Sequence, residues 1–384
     1  MLERVVNLSR QYEAPPIDAL LIELNRLGVC ISKPNYKFGD RVMFELNMNP
    51  LSEFDSAFSH EYKENDFFLT LTINPDSPFI LNTDSGTLEV DSRIIGKVEE
   101  LQDCGGYLLY TRDQGRVLHL DPKLKSNCNG CDFCHFGVAS DLTIDLSLND
   151  PKTYVQWAIS QYKRLLNVDD FSDIEQVAVV TGCFKSAMEL LTYLDIVRQE
   201  FSGKGFKGEL FYLGSELRSE DMSDLCKLAP ITYCHSTECF ANREQHLHRK
   251  KSSVTIPEIV EILKRAKEKG INTTFTYVLG LDPVKDVIGG MKQMLAGITR
   301  VPVTNIFQRH SQGLEKLWAP GANDLPYYLE IRRQLGEILG REDLKPERPW
   351  EDYRGLWYTE FQGSTIIGTR LPGRSKFHYK EQVL

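Results

Sequence analysis

The sequence predicts a mixed α/β protein, a partial (β/α)6 TIM-like barrel with an N-terminal α+β appendage and a C-terminal cap. Three observations predict it. From about residue 140 onward, short apolar runs alternate with longer amphipathic stretches. The first 118 residues instead carry short β-like runs separated by tight turns. The 384 residues also suffice for one large α/β domain plus a smaller one. The expected division is 1–118 for the appendage, 119–340 for the barrel and 341–384 for the cap.

In the appendage, "PPIDALLIELNRLG" begins at two prolines and stops at a glycine, as a helix should. The runs "DRVMFELNM", "FFLTLTINP", "SPFILNTDSGTLEV" and "GGYLLYTRDQGRVLHL" then read as strands, the last two turning at "TDSG" and "RDQG". In the barrel, "EQVAVVTGC", "GELFYLGSE", "ITYCHSTE", "NTTFTYVLGL" and "VPVTNIFQRH" each precede a helical stretch. Such runs are the length of buried parallel strands, and repeated βα units place helices outside a parallel sheet. A first strand near "LTIDLSL" with the helix "DPKTYVQWAISQYKRLL" completes six units, an open barrel that binds ligands at the carboxyl ends of its strands. The cap is rich in Trp, Tyr and Arg. Its Trp350, Tyr353, Arg354, Trp357 and Tyr358 either close the pocket or pack as an ordinary core edge.

A net charge of −9 and a pI near 5.5 give no global field for phosphate backbones, so nucleic acid is not an expected partner. No apolar stretch approaches the ~18 residues of a membrane span. The first residues lack the order of a signal peptide. A cytoplasmic protein with no membrane partner is therefore expected. Nine cysteines in such a compartment suggest metal binding or buried thiols rather than disulfides.

Three of them, Cys128, Cys131 and Cys134, stand at intervals of three in "SNCNGCDFCHFG". A structural zinc wants four ligands, usually in two separated pairs, and here His135 directly follows Cys134 with no second CxxC downstream. Residues 131–135 also spell the C-x-x-C-H of covalent haem attachment, which normally accompanies export. An iron–sulfur cluster accounts for three thiolates, because four-iron clusters take one Cys per iron and a vacant iron can receive a chelating ligand.

With Phe133 immediately before the third Cys, the segment resembles the radical S-adenosylmethionine superfamily, whose signature is C-x3-C-x-aromatic-C at the start of a partial βα barrel. The first gap is one residue short, and Gly130 could supply the backbone angles of a tighter loop. The resemblance covers about 120–340, and its later parts are similar to the biotin synthase-like branch. It implies a [4Fe-4S] cluster on Cys128, Cys131 and Cys134 and S-adenosyl-L-methionine as the second cofactor. Gly182, in "VVTGC", would receive the methionine amino group; Ser236 and Glu238 would face the ribose or methionine groups. Arg249 would pair with the methionine carboxylate, with Lys250 as the alternative cation. Val278 would pack on the adenine and Gly280 would permit its close approach. Asn305, Gln308 and His310 would point at the substrate space.

The function so implied is reductive cleavage of S-adenosylmethionine and hydrogen abstraction from a small molecule, with amino acids and their derivatives as candidates. An electron donor such as flavodoxin or ferredoxin is the implied protein partner. Two alternatives stand beside it: modification of a peptide captured by an edge strand near residues 66–92, and a non-catalytic metal-binding protein.

Overall fold

A computed structural model describes residues 1–32, 40–49, 51, 56–58, 66–103, 109–112, 115–121, 130–134, 150–180, 183–310, 313–344, 355–361 and 364–365. Two helices open the chain, α1 (Leu2–Gln11) and α2 (Pro16–Leu27). Pro16 suits the first turn of α2, and Gly28, at φ 69°, ends it in a conformation that favours glycine. The N-terminal sheet follows: β1 (Cys30–Ile31), β2 (Arg41–Asn47), β3 (Asp66–Thr72), β4 (Ile80–Asn82), β5 (Thr87–Val90) and β6 (Arg93–Asp103). Its order is β1-β4-β5-β6-β2-β3, mostly antiparallel.

A second sheet of seven strands runs β13-β12-β11-β10-β9-β8-β7. It begins with a hairpin, β7 (Leu109–Arg112) and β8 (Val117–Leu120). Then come β9 (Gln176–Val180), β10 (Glu209–Gly214), β11 (Ile231–Glu238), β12 (Asn272–Leu279) and β13 (Val303–Ile306). The six strands β8 to β13 pair in parallel and in chain order. This is an open half-barrel of six parallel strands, with α3 (Pro151–Leu166), α4 (Ala187–Ser202), α8 (Ile256–Glu268), α9 (Val284–Met294) and α10 (Leu325–Leu339) among its helices. The intervening α5 (Met222–Leu225), α6 (Arg243–His246) and α7 (Arg249–Ser252) are single turns. The hairpin 109–120 straddles the expected boundary at 118, so the barrel sheet starts before it. The expected strand near 142–148 lies outside the described residues.

Alternation along each strand divides barrel interior from helix-facing exterior. Leu210, Tyr212, Tyr233, Phe275, Tyr277 and Leu279 join the main apolar core, whereas Ala178, Phe211 and Cys234 form a separate interior cluster. The bottom of the interior is closed by charge. Glu209 accepts from Gln176 Nε2 (2.9 Å), Thr232 Oγ1 (2.7 Å), Asn272 Nδ2 (3.0 Å) and both terminal nitrogens of Arg300 (3.1 and 3.0 Å).

The N-terminal part is locked to the open edge of the half-barrel by α2, whose residues 17–26 are all buried. Asp18 accepts from Arg332 of α10 (2.9 Å) and from the backbone and hydroxyl of Thr359 (2.9 and 2.8 Å). Asn25 donates to Tyr358 Oη (2.8 Å), so Tyr358 packs on α2; Trp357, also buried, stacks edge-on with Phe361. The other three cap residues singled out by the sequence lie outside the described residues.

Candidate active site

The site forms at the carboxyl ends of β11 to β13, where parallel barrels place their ligands. Strand β11 ends on a bulge, with Glu238 at φ 68° and its neighbour Ser236 in register with Thr276. The bulge turns both polar side chains to one group. Lys251 donates to Glu238 Oε1 (2.8 Å) and to Ser236 Oγ (2.6 Å), and Ser236 donates to Glu238 Oε1. Burial alone would raise the Glu238 carboxyl and lower the Lys251 ammonium. The attraction between them reverses both, so Glu238 sits below and Lys251 above its ordinary value. Both are charged near neutral pH.

The segment between β11 and α8 that carries Lys251 is pinned from inside. Arg243 donates to the carbonyls of Thr237 (2.7 Å), Cys239 (2.6 Å) and Lys251 (3.0 Å). Asp282, beyond β12, accepts from the N–H groups of Phe240 (2.6 Å) and Ala241 (3.0 Å) and from Tyr277 Oη (2.6 Å). His235 on β11 hydrogen-bonds Thr237 through Nδ1 (3.0 Å); burial, then the charges of Arg243, Lys251 and Arg218, hold its pKa well below normal. It is a neutral, structural imidazole.

The thiol loop docks on this segment. Asp132 N–H donates to His246 O (3.0 Å), and Cys134 N–H closes a turn on Cys131 O (2.8 Å). Cys131 packs with Cys239, Leu247, Val278, Leu281, Phe307 and Leu317, with Phe133 and Cys134 at the margin. Burial pushes the Cys131 thiol up to about 11, opposed by the Lys251 charge and the His248 N–H. Cys183 Sγ lies 3.4 Å from His248 Nε2. Cys128 and Gly182 lie outside the described residues. The donor set fits a thiolate-ligated cluster: two soft sulfurs in a dry, apolar pocket, with a cation and an N–H that favour the deprotonated form a metal requires.

Of the other residues singled out by the sequence, Val278 and Gly280 are at this pocket. A side chain at Gly280, where φ is 112°, would press on Tyr328 and Phe307. Asn305 is half-buried beside Val278. Gln308 and His310 face the N-terminal part instead. Gln308 donates to Asn25 Oδ1 and Thr70 O (both 2.9 Å) and accepts from Arg41 (2.9 Å). His310 lies 3.3 Å from Phe133 O and 3.9 Å from Asp40, tying the thiol loop to that part. Arg249 and Lys250 are exposed, and the cation that reaches Glu238 is Lys251. Arg243 and Asp282 carry no sequence signal, since their partners are mostly backbone groups that no motif reports.

Fold and site together define a class: a parallel half-barrel whose thiol loop and charged rim share its ligand-binding end. No family model and no curated protein sequence matches the chain. Among solved structures it is similar to SuiB from Streptococcus suis bound to S-adenosylmethionine, with 15% identity over 60% of this chain and 49% of that one, TM-score 0.40. It is similar also to the FeFe-hydrogenase maturase HydG from Carboxydothermus hydrogenoformans, with 17% identity over 64% and 61%, TM-score 0.38. A third is the radical S-adenosylmethionine methyltransferase TsrM from Kitasatospora setae with tryptophan and aza-SAM bound, with 11% identity over 40% and 30%, TM-score 0.29. The chain spans less than two thirds of the length of each.

Proposed function

We propose that the protein is a radical S-adenosylmethionine enzyme acting on a small molecule. The observation that carries the reading is the docking of the Cys131–Cys134 loop on the segment that bears Lys251, with Cys131 within electrostatic reach of Lys251 and Glu238 at the mouth of the half-barrel. Cys131 and Cys134, with Cys128 as the third thiolate, would hold a [4Fe-4S] cluster; when bound, the cluster and S-adenosylmethionine supply a 5′-deoxyadenosyl radical. The chain's own residues bind and orient. Lys251 would pair with the methionine carboxylate and Glu238 with its amino group, each exchanging its present partner for one on the ligand. Val278 offers an apolar face for the base, and the close-packed Gly280 fixes the backbone beside it. Phe133, Leu317 and Trp318 keep water from the thiol pocket.

The state of one edge strand favours a small substrate over a captured peptide. Edge strand β3 lies against the barrel, with Thr70 O taken by Gln308 and Thr72 O by Val29. The reading carries with it a reducing, intracellular location and a protein electron donor of the flavodoxin or ferredoxin type. Among the described residues, no helix is long and apolar enough to cross a membrane. The test is anaerobic reconstitution with iron and sulfide, reduction, and assay for 5′-deoxyadenosine. Formation that disappears in Cys131→Ala is expected. A protein that holds zinc tightly and forms none would overturn the proposal.

A further inference from the structure

The interior of the half-barrel is layered by packing. Above the Glu209–Arg300 plug lies a sealed apolar floor of Ala178, Phe211 and Cys234. The next layer up is different. Val180 is the one residue of β9 that is not fully buried, Leu213 the one of β10, and on β13 Val303 and Asn305 share that state. Val180, Leu213 and Val303 all pack on the floor, so their accessible faces look into one chamber inside the barrel. On the β11–β12 side the next inward positions beyond Cys234 are Ser236 and Thr276, paired in register, with Thr276 opposite Val303.

The chemistry of this layer is uniform. Among the described residues it contains no charged side chain. The charges above it, Glu238 and Lys251, neutralise each other, and those below it are enclosed in the plug. The nearest deeper ionisable group on the barrel face, His119 of β8, is in register with Ala178 of the floor. Asp121, just past β8, acts on the hydroxyls of Tyr154 and Tyr193 on the outer helices. Ser236 is committed to Glu238 and Lys251. Thr276 is not: it is 4% exposed, and its Oγ1 is buried with no hydrogen-bond partner among the described residues. Buried hydroxyls are normally paired, so an orphan on the inward side of β12, opposite Val303, marks where a ligand atom belongs.

We propose that the chamber receives an uncharged, branched-aliphatic or aromatic portion of the substrate, anchored by one hydrogen bond to Thr276. This deepens the small-molecule reading above and rests on it for the identity of the reaction. A carboxylate or ammonium entering this layer would lose its hydration without gaining a counter-charge. An apolar group with one amide or hydroxyl would cover Val180, Leu213 and Val303 and satisfy Thr276. The charged end of an amino-acid-like substrate would have to remain at the rim.

The test is a binding measurement that needs no turnover. Full-length protein, prepared anaerobically with S-adenosylmethionine present, is titrated with three molecules sharing one alkyl group: 3-methylbutanamide, 3-methylbutanoate and 3-methylbutylammonium. Ligand-observed NMR should show the amide binding at least about tenfold tighter than either ion. Thr276→Val should weaken the amide about tenfold, the effect of one hydrogen bond, while Thr276→Ser retains it. An ion that binds as tightly as the amide, an amide that does not bind, or Thr276→Val without effect would each overturn the proposal. Assay of 5′-deoxyadenosine on the same samples separates the two claims. Charge-selective binding without 5′-deoxyadenosine removes the radical reading and keeps the chamber; the reverse pattern does the opposite.

Discussion

Two buried ion pairs lie at opposite ends of one barrel, and they are built differently. At the bottom, Glu209 is buried and gripped by the fork of Arg300 and three neutral side chains. At the top, Glu238 stands on a bulge with positive φ and meets Lys251, a single point charge on a flexible stem, beside a partly open chamber and the thiol loop. A planar bidentate pair suits permanent structure, and a lysine pair can exchange partners. Charge at the bottom closes the barrel, while charge at the top is available to a ligand.

The largest effect is expected from Cys131→Ala, which should abolish the iron–sulfur absorbance of the reconstituted protein. Near-unchanged melting of the metal-free variant would show that the thiol serves the metal and not the fold. Next, Glu209→Ala removes the carboxylate that both terminal nitrogens of buried Arg300 grip and should cost about 3–5 kcal/mol of stability, read as a shifted denaturation midpoint. The S-adenosylmethionine affinity of the protein that remains folded should not move. Lys251→Met should show the converse: ligand binding weakened by about 2 kcal/mol, roughly 30-fold, with a smaller change in melting.

The bottom pair also predicts a pH dependence. Burial raises the Glu209 carboxyl, but Arg300 and the three hydrogen bonds outweigh it and hold it below its ordinary value. A carboxyl lowered in the folded state stabilises above its unfolded pKa, about 4.3, and that contribution is lost as pH falls further. Glu209→Gln should therefore flatten the acid limb of the stability profile below pH 5 and lower the plateau at pH 7. The smallest effect belongs to Arg249→Ala, exposed on α7, which should change stability by less than about 0.5 kcal/mol and leave ligand affinity alone. A large loss there would transfer the carboxylate role from Lys251 back to Arg249.

Much of the barrel was legible because its strands are self-announcing. Runs such as "EQVAVV" and "NTTFTYVL" are buried on both faces, and each is followed by an amphipathic helix. The hairpin 109–120 was harder to place. Its "RDQG" turn looks like the "TDSG" turn of the preceding sheet, and only nonlocal pairing with β9 assigns it to the barrel. At the site, polar residues at a strand end, Ser236 and Glu238, could be picked out by period two. Which cation of "RKKSS" reaches them depends on the orientation of a single helical turn, and that orientation is set by Arg243 gripping Lys251 O. Gln308 reads as a residue aimed at substrate, yet it bridges to Asn25 and Thr70, more than 230 positions away, a contact no local pattern encodes.

If the thiol loop and the Glu238–Lys251 rim form one cofactor site, a single assay reads both at once. Anaerobically reconstituted protein, reduced and given S-adenosylmethionine, should form 5′-deoxyadenosine. Lys251→Met should raise the S-adenosylmethionine concentration needed for half-maximal formation by about 30-fold while leaving the cluster absorbance intact. An intact cluster that forms 5′-deoxyadenosine with the same concentration dependence in Lys251→Met, or that forms none in the wild type, would contradict the account.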